Sequence, residues 1–150
     1  MTRINLGIHP EELCDQHLLA EYRELPRIVS AVQKRIDNGK DFDDIPEQFT
    51  LGRGHVKYFY NKGSYLVARQ YGIVKELLRR GFDIKFTDDL QWPCDMIENK
   101  YLKYPVTVFE QQNAQVILRE RICERLANMP KAKWTKSKRP DWCQVPTLKP

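Results

Sequence analysis

The sequence predicts an all-α protein, a compact single domain of three main helices joined by long irregular connections. Three stretches carry apolar residues at steps of three and four, and each is bounded by helix start or stop signals. No alternating run has a convincing partner strand.

In the first stretch Leu18, Tyr22, Leu25, Val29, Val32 and Ile36 share one face, and Asn38-Gly39 supplies the stop. The opposite face carries His17, Ala20, Arg23, Glu24, Arg27, Ser30 and Lys34. Pro26 lies inside the pattern, removes a backbone donor and predicts a kink beside Glu24. A second helix is expected from about Ser64 to Arg80, with Leu66, Ile73, Val74, Leu77 and Leu78 inward and Gly81 as its C-terminal cap. Thr107 and Glu110 have the spacing of a capping box and open the third, which continues through Ala114, Ile117, Leu118, Ile122 and Leu126 until Pro130. Between the first two helices, Val56–Tyr60 reads as packed loop or a lead-in to the second helix. The stretch from Thr87 to Pro105 reads as irregular. Residues 1–130 form the expected helical domain, and 131–150 a basic, aromatic tail without helical periodicity.

With 150 residues, 41% hydrophobic and 30% charged, the chain is long enough to bury one core without staples. It has no apolar run near the ~20 residues of a membrane helix and no secretory signal. A soluble, monomeric protein of the cytoplasm, in a bacterial cell or a phage-infected host, is expected. Cys14, Cys94, Cys123 and Cys143 show no close spacing, which fits reduced thiols and supports neither zinc nor an iron–sulfur cluster. The net charge of +5 favours an anionic partner.

Gly52-Arg53-Gly54-His55 lacks the third glycine and the strand–turn–helix setting of a phosphate loop, and reads as a turn. His9, His17 and His55 have no metal-ligand spacing, and Asp43-Asp44 and Asp88-Asp89 read as solvated turn acids. No metal or cofactor is expected. Arg23, Glu24 and Arg27 place a carboxylate beside two guanidinium groups. A surface ion-pair cluster of this kind is worth only ~0.2–1 kcal/mol, whereas arginines that bind phosphate would keep the nearby carboxylate ionised. The tail from Lys131 to Trp142 is similarly open to two readings: a solvated terminus, or an arm that contacts a nucleic-acid backbone and stacks its aromatic groups. At the start of the chain, removal of Met1 would expose the α-amine of Thr2. Its reference pKa leaves roughly 10² to 10³ times more free base at neutral pH than a lysine has. Such an amine can attack an anomeric carbon and form an imine.

Thr2-Arg3-Ile4-Asn5-Leu6, the block Asp15 to Arg27, Leu51-Gly52 with Gly54-His55-Val56, Phe59-Tyr60, and Arg80-Gly81-Phe82 with Ile84-Lys85 closely resemble the phage and bacterial pyrimidine-dimer DNA glycosylases that also act as abasic-site lyases. The resemblance covers roughly residues 1 to 130 and is most specific in the first third. It implies a mostly helical domain whose N-terminal segment threads between helices to bring its amine to a carboxylate. On the matching positions it implies Thr2 as nucleophile and Glu24 as the essential acid. Arg3, Gln16, His17, Arg23, Arg27, Arg121 and Arg125 would line the DNA face, with duplex DNA containing pyrimidine dimers or abasic sites as partner. Residues 7–12 hold one position more than the pattern, with His9-Pro10, and the tail is richer in lysine. A noncatalytic DNA-binding protein of the same fold and, more weakly, a metal-dependent nuclease are the alternatives.

Overall fold

Leu6 and its neighbours lie at the centre of the molecule, not at its edge. The computed structural model describes residues 4–52, 55–88, 90 and 106–143. Ile4, Leu6 and Ile8 are fully buried there, and each such side chain contributes about 1.5–3 kcal/mol of burial. Around this segment stand α1 (Asp15–Asp37), α2 (Gly63–Arg79) and α3 (Val108–Leu126). No described residue is in a strand, as the sequence predicts.

The segment turns sharply, with Leu6 N–H donating to the Ile4 carbonyl and Ile8 N–H to that of Asn5. Gly7 makes this possible. Its φ is +81°, and a Cβ there would stand 2.3 Å from the Gln111 carbonyl oxygen, so no side chain fits against α3. Gln115 Nε2 donates to the Gly7 carbonyl at 2.9 Å. His9-Pro10 leads into a 3-10 turn over Pro10–Glu12, whose Glu11 N–H is capped by His9.

Helix α1 continues through Pro26, whose missing N–H leaves the Tyr22 carbonyl without its helical donor. Its buried face is Leu18, Glu21, Leu25, Ile28 and Val32, with Tyr22, Val29 and Ile36 only partly covered. The predicted stripe therefore omits Ile28 and Glu21. In α2, Leu66, Ile73, Val74 and Leu77 are inward as expected, but Leu78 is half exposed, because it stands about 100° round the helix from Leu77, past the edge of the buried face. Gly81 caps the helix at φ +90°, with Phe82 N–H reaching the Leu77 carbonyl. The Thr107–Glu110 capping box is formed in both directions at the start of α3. Ala114, Leu118, Ile122 and Leu126 face the core, while Ile117 stays outside it for the same reason as Leu78.

Val56–Tyr60 holds a 3-10 turn, Lys57–Phe59, with Tyr58 and Phe59 fully buried. Phe49 meets the His55, Tyr58 and Phe59 rings edge-on, the stable arrangement for aromatic pairs. Asp44 is not merely solvated, as its turn setting suggests. It takes both guanidinium arms of Arg35 at 2.7 and 2.9 Å and the Lys57 ammonium at 2.7 Å, and the hydrogen bonds from Arg35 and then Lys57 hold its carboxyl below the ordinary range. Asp89 and Cys94 lie outside the described residues. Cys14, Cys123 and Cys143 are free thiols.

Residues 131–143 pack back onto the helices. Asp15 N–H donates to the Lys133 carbonyl at 2.8 Å, Thr135 N–H donates to Asp15 at 3.0 Å, and Trp134 Nε1 donates to the Glu12 carbonyl at 2.9 Å. Arg80, fully buried, joins Asp15 to Glu76 at 2.8 and 2.9 Å. Burial of Glu76 works against its charge, but hydrogen bonds from Arg79, Arg80 and Ser137 prevail and bring its pKa down to about 2. A carboxyl depressed on folding stabilises the folded state above its unfolded pKa and loses that contribution as pH falls through the folded one. Stability is therefore expected to decline between about pH 4.5 and 2 as Glu76 protonates. Acid titration of unfolding free energy should be flatter in Glu76→Gln, and an unchanged slope would contradict the assignment.

Candidate functional site

Glu21 organises the N-terminal segment. This carboxylate has no solvent exposure, and it accepts the Asn5 N–H at 3.0 Å and Asn5 Nδ2 at 2.7 Å on the same oxygen. Arg69 of α2 donates its Nε to the other oxygen at 2.6 Å and its Nη2 back to the first at 3.1 Å, and its Nη1 reaches the Ile8 carbonyl. A buried carboxylate is tolerable only with such a full set of donors. One residue earlier, Ile4 N–H donates to Nε2 of buried His55 at 2.9 Å.

Glu24 follows Glu21 by three residues and so lies on the same side of α1, one turn further on. Its side chain keeps 14% exposure, enough to be reached from outside, and Arg27 stands 3.5 Å away. Arg27 itself is largely exposed. Arg23 is exposed too and makes no ion pair with a described residue, so Glu24 faces one guanidinium and not the two that spacing suggests. Residues adjacent in a helix point about 100° apart, which separates Arg23 from Glu24.

Between α1 and α3 opens a cleft of about 570 Å³, lined by Asn5, Gln16, His17, Arg121, Arg125 and Asn128 with Ala20, Leu118, Ile122 and Met129. It is cationic and poorly neutralised. Burial, and then Arg125, push the His17 pKa down; burial, and then Arg121, do the same to Arg125. His17 Nδ1 and Arg121 Nε are buried without a hydrogen-bond partner among the described residues. The acid paired with this group is exposed Glu124, 3.7 Å from Arg121. Like charges crowded in a half-buried concavity favour an anion, and a phosphate oxygen accepts from both imidazole and guanidinium groups. Gln16 is held at the rim, its Nε2 donating to the Lys131 carbonyl at 3.0 Å and its Oε1 accepting from Lys133 N–H at 3.4 Å. A second cleft, of about 440 Å³, mixes the acids Glu11, Glu12 and Asp141 with Arg79, Lys136, Lys138 and Arg139, so its basic groups have acids beside them in the lining.

Four residues that the resemblance puts on a DNA face, Gln16, His17, Arg121 and Arg125, thus share one cleft. Arg23, Glu24 and Arg27 lie further along α1, outside its lining, and Thr2 and Arg3 lie outside the described residues. Sequence reasoning missed Glu21, Arg69 and His55 as anchors and the rim lysines' contact with Gln16. No charge spacing marks them, since each works through a partner distant in the chain. Among the described residues no group of three His, Cys, Asp or Glu side chains is placed to hold a metal ion.

The fold and this cleft define a helical protein that holds its own N-terminal segment next to an anion-favouring concavity. The profile of the pyrimidine dimer DNA glycosylases matches residues 1–90, more than half of the chain, and the protein belongs to that family. At the level of the family it is a DNA repair glycosylase, an enzyme whose substrate is DNA. No helix among the described residues is long and apolar enough to cross a membrane.

Proposed function

We propose that the protein is a glycosylase with an associated lyase step, acting on ultraviolet-induced cyclobutane pyrimidine dimers and on abasic sites in duplex DNA. The observation that carries this reading is the anchoring of Ile4 and Asn5 at His55 and Glu21, one helical turn before Glu24 and beside the cationic cleft. Two residues of extended chain reach at most about 7 Å, so the α-amine of Thr2 is tethered near this point. One turn of α1 separates Glu21 from Glu24, about 4.5 Å along the axis for three residues.

The amine of Thr2, exposed by loss of Met1, attacks the anomeric carbon of the dimer's 5′ nucleotide. The new C–N bond forms as the glycosidic bond breaks, and the released pyrimidine stays joined to its neighbour through the cyclobutane ring; the sugar ring then opens at O4′, which takes up a proton, and the resulting aminal becomes an imine. Glu24 stabilises the positive charge that develops on the sugar and assists proton movement. Abstraction of a proton from the carbon next to the imine is followed by β-elimination, which breaks the strand on the 3′ side. Hydrolysis of the imine returns the free amine. Arg121, Arg125, His17 and Gln16 hold phosphates in the cleft, with Arg3, Arg23 and Arg27 extending the DNA face. Kinked, poorly stacked damaged DNA lowers the deformation that such binding needs.

Among the described lysines, Lys62 has a lowered pKa, yet it makes a poor competing amine. Burial pushes the Lys62 pKa down, yet this ammonium donates to the Tyr58 carbonyl and Asn61 Oδ1 at 2.8 Å each and lies over the Tyr58 ring. With 5% exposure it has no path to a sugar.

Duplexes carrying one dimer, one abasic site or no lesion, incubated with chelator, test the proposal. Nicking of the first two alone is expected. Loss of nicking in chelator would point to a metal-dependent nuclease, and lesion binding without nicking to a noncatalytic protein. Arg125→Gln and Arg27→Gln should each weaken binding and make its salt slope shallower by up to ~0.9 for every phosphate that the arginine neutralises in the parent. A slope equal to the parent's would place that arginine away from the DNA backbone.

A further inference from the structure

The nucleophile's tether is anchored by buried groups, Glu21 and Arg69, that lie outside the cleft proposed to hold the DNA, and this arrangement has a kinetic consequence. Glu21 has no solvent exposure and Arg69 little, so neither can touch a substrate, yet together they bind Asn5, Ile8 and, through the same carboxylate, α1 and α2. Asn5 belongs both to this clamp and to the wall of the cationic cleft. Gly7, pressed against α3 and held there by Gln115, stops the segment from sliding. His55 fixes the first described amide of the segment, that of Ile4. These interactions come from α1, α2, α3 and the loop before α2, and they leave the segment one register.

We infer that Glu21, with Arg69 and Asn5, is a positioning residue that sets the distance between the α-amine and Glu24, so that rate and not DNA affinity depends on it. The inference rests on Thr2 as nucleophile. An amine on an unanchored terminus would sample many placements, and a misplacement of about 1 Å can cost on the order of 10²-fold in rate. The clamp also explains why a carboxylate is buried here at all: one oxygen must accept two donors from Asn5 while the other faces the guanidinium that reaches Ile8.

Three variants of the full chain test this: Glu21→Gln, Asn5→Ala, and one glycine inserted between Arg3 and Ile4. The insertion leaves the clamp itself intact but moves the amine by about 3.5 Å. Each is compared with the parent well below its own unfolding temperature. The first-order rate of borohydride trapping is measured at saturating protein, with affinity for a duplex bearing a tetrahydrofuran abasic analogue as control. The expected result is a trapping rate lower by about 10-fold or more in all three, with affinity unchanged in Glu21→Gln, whose side chain has no solvent exposure, and with rate falling by more than affinity in the other two, which alter the cleft wall or displace Arg3. In the chain combining Asn5→Ala with the insertion, the two effects should be less than multiplicative, because a loosened segment can accommodate the extra residue. If Glu21→Gln fails to fold, Asn5→Ala and the insertion still decide the matter. Parental trapping rates in Asn5→Ala or in the insertion would overturn the inference, as would rate and affinity falling equally. Peptide mapping of the parent's adduct separates the two levels: an adduct away from Thr2 defeats the nucleophile assignment, whereas a Thr2 adduct with unaffected variant rates defeats only the clamp.

Discussion

Replacing Glu24 with Gln is expected to lower dimer cleavage by roughly 10² to 10⁴-fold, the range for removal of a positioned acid–base group, while binding to damaged DNA persists. The change keeps the shape of a largely covered side chain and removes only its charge. Its partner Arg27 is mostly exposed, so breaking the ion pair should cost at most ~1 kcal/mol of stability. Single-turnover cleavage and equilibrium binding to the same dimer duplex separate the effects. Equal reduction of both would make Glu24 a structural residue, and full cleavage would exclude it from the chemistry.

Removing the Thr2 amine as a nucleophile is expected to be as severe. A homogeneous protein that retains Met1, or one whose α-amine is dimethylated, should cleave roughly 10³-fold more slowly or worse, the scale on which removal of a nucleophile is felt. Electrostatic binding should be largely spared, because Arg121, Arg125 and His17 stay in place. Thr2→Ala should remain appreciably active, since it keeps the amine and sheds only a hydroxyl. Rapid cleavage by the Met1-retaining protein, followed on an abasic duplex, would contradict the proposed nucleophile.

The helices were legible because their signals are local. Thr107 and Glu110 cap α3, Gly81 ends α2, and Asn38-Gly39 ends α1, each within a turn of the residues it serves. What could not be read from local pattern was what lies between the helices. Periodicity placed Leu78 and Ile117 in the core and left Glu21 out of it, because an apolar side chain beside the buried stripe looks no different in sequence from one within it. For Glu21 the tertiary reason is the N-terminal segment together with α2: Asn5 and Arg69 bring to it the donors that make its burial possible. The site divides along the same line. The residues of the cationic cleft were named through resemblance, but Gln16 and Arg125 are far apart in the chain and only the fold, which sets α1 and α3 on two sides of one cleft, brings them together. Asp44 shows the converse, a turn acid whose partners Arg35 and Lys57 lie nine and thirteen residues away in opposite directions.

In the proposed mechanism the chain's own first amine forms the covalent bond to DNA. Borohydride reduction during reaction with an abasic duplex, followed by proteolysis and peptide mapping, tests this most directly. A single adduct on the peptide beginning with Thr2, formed with undiminished yield in chelator, is the expected result. An adduct on an internal lysine, or nicking with no trapped species at all, would contradict it.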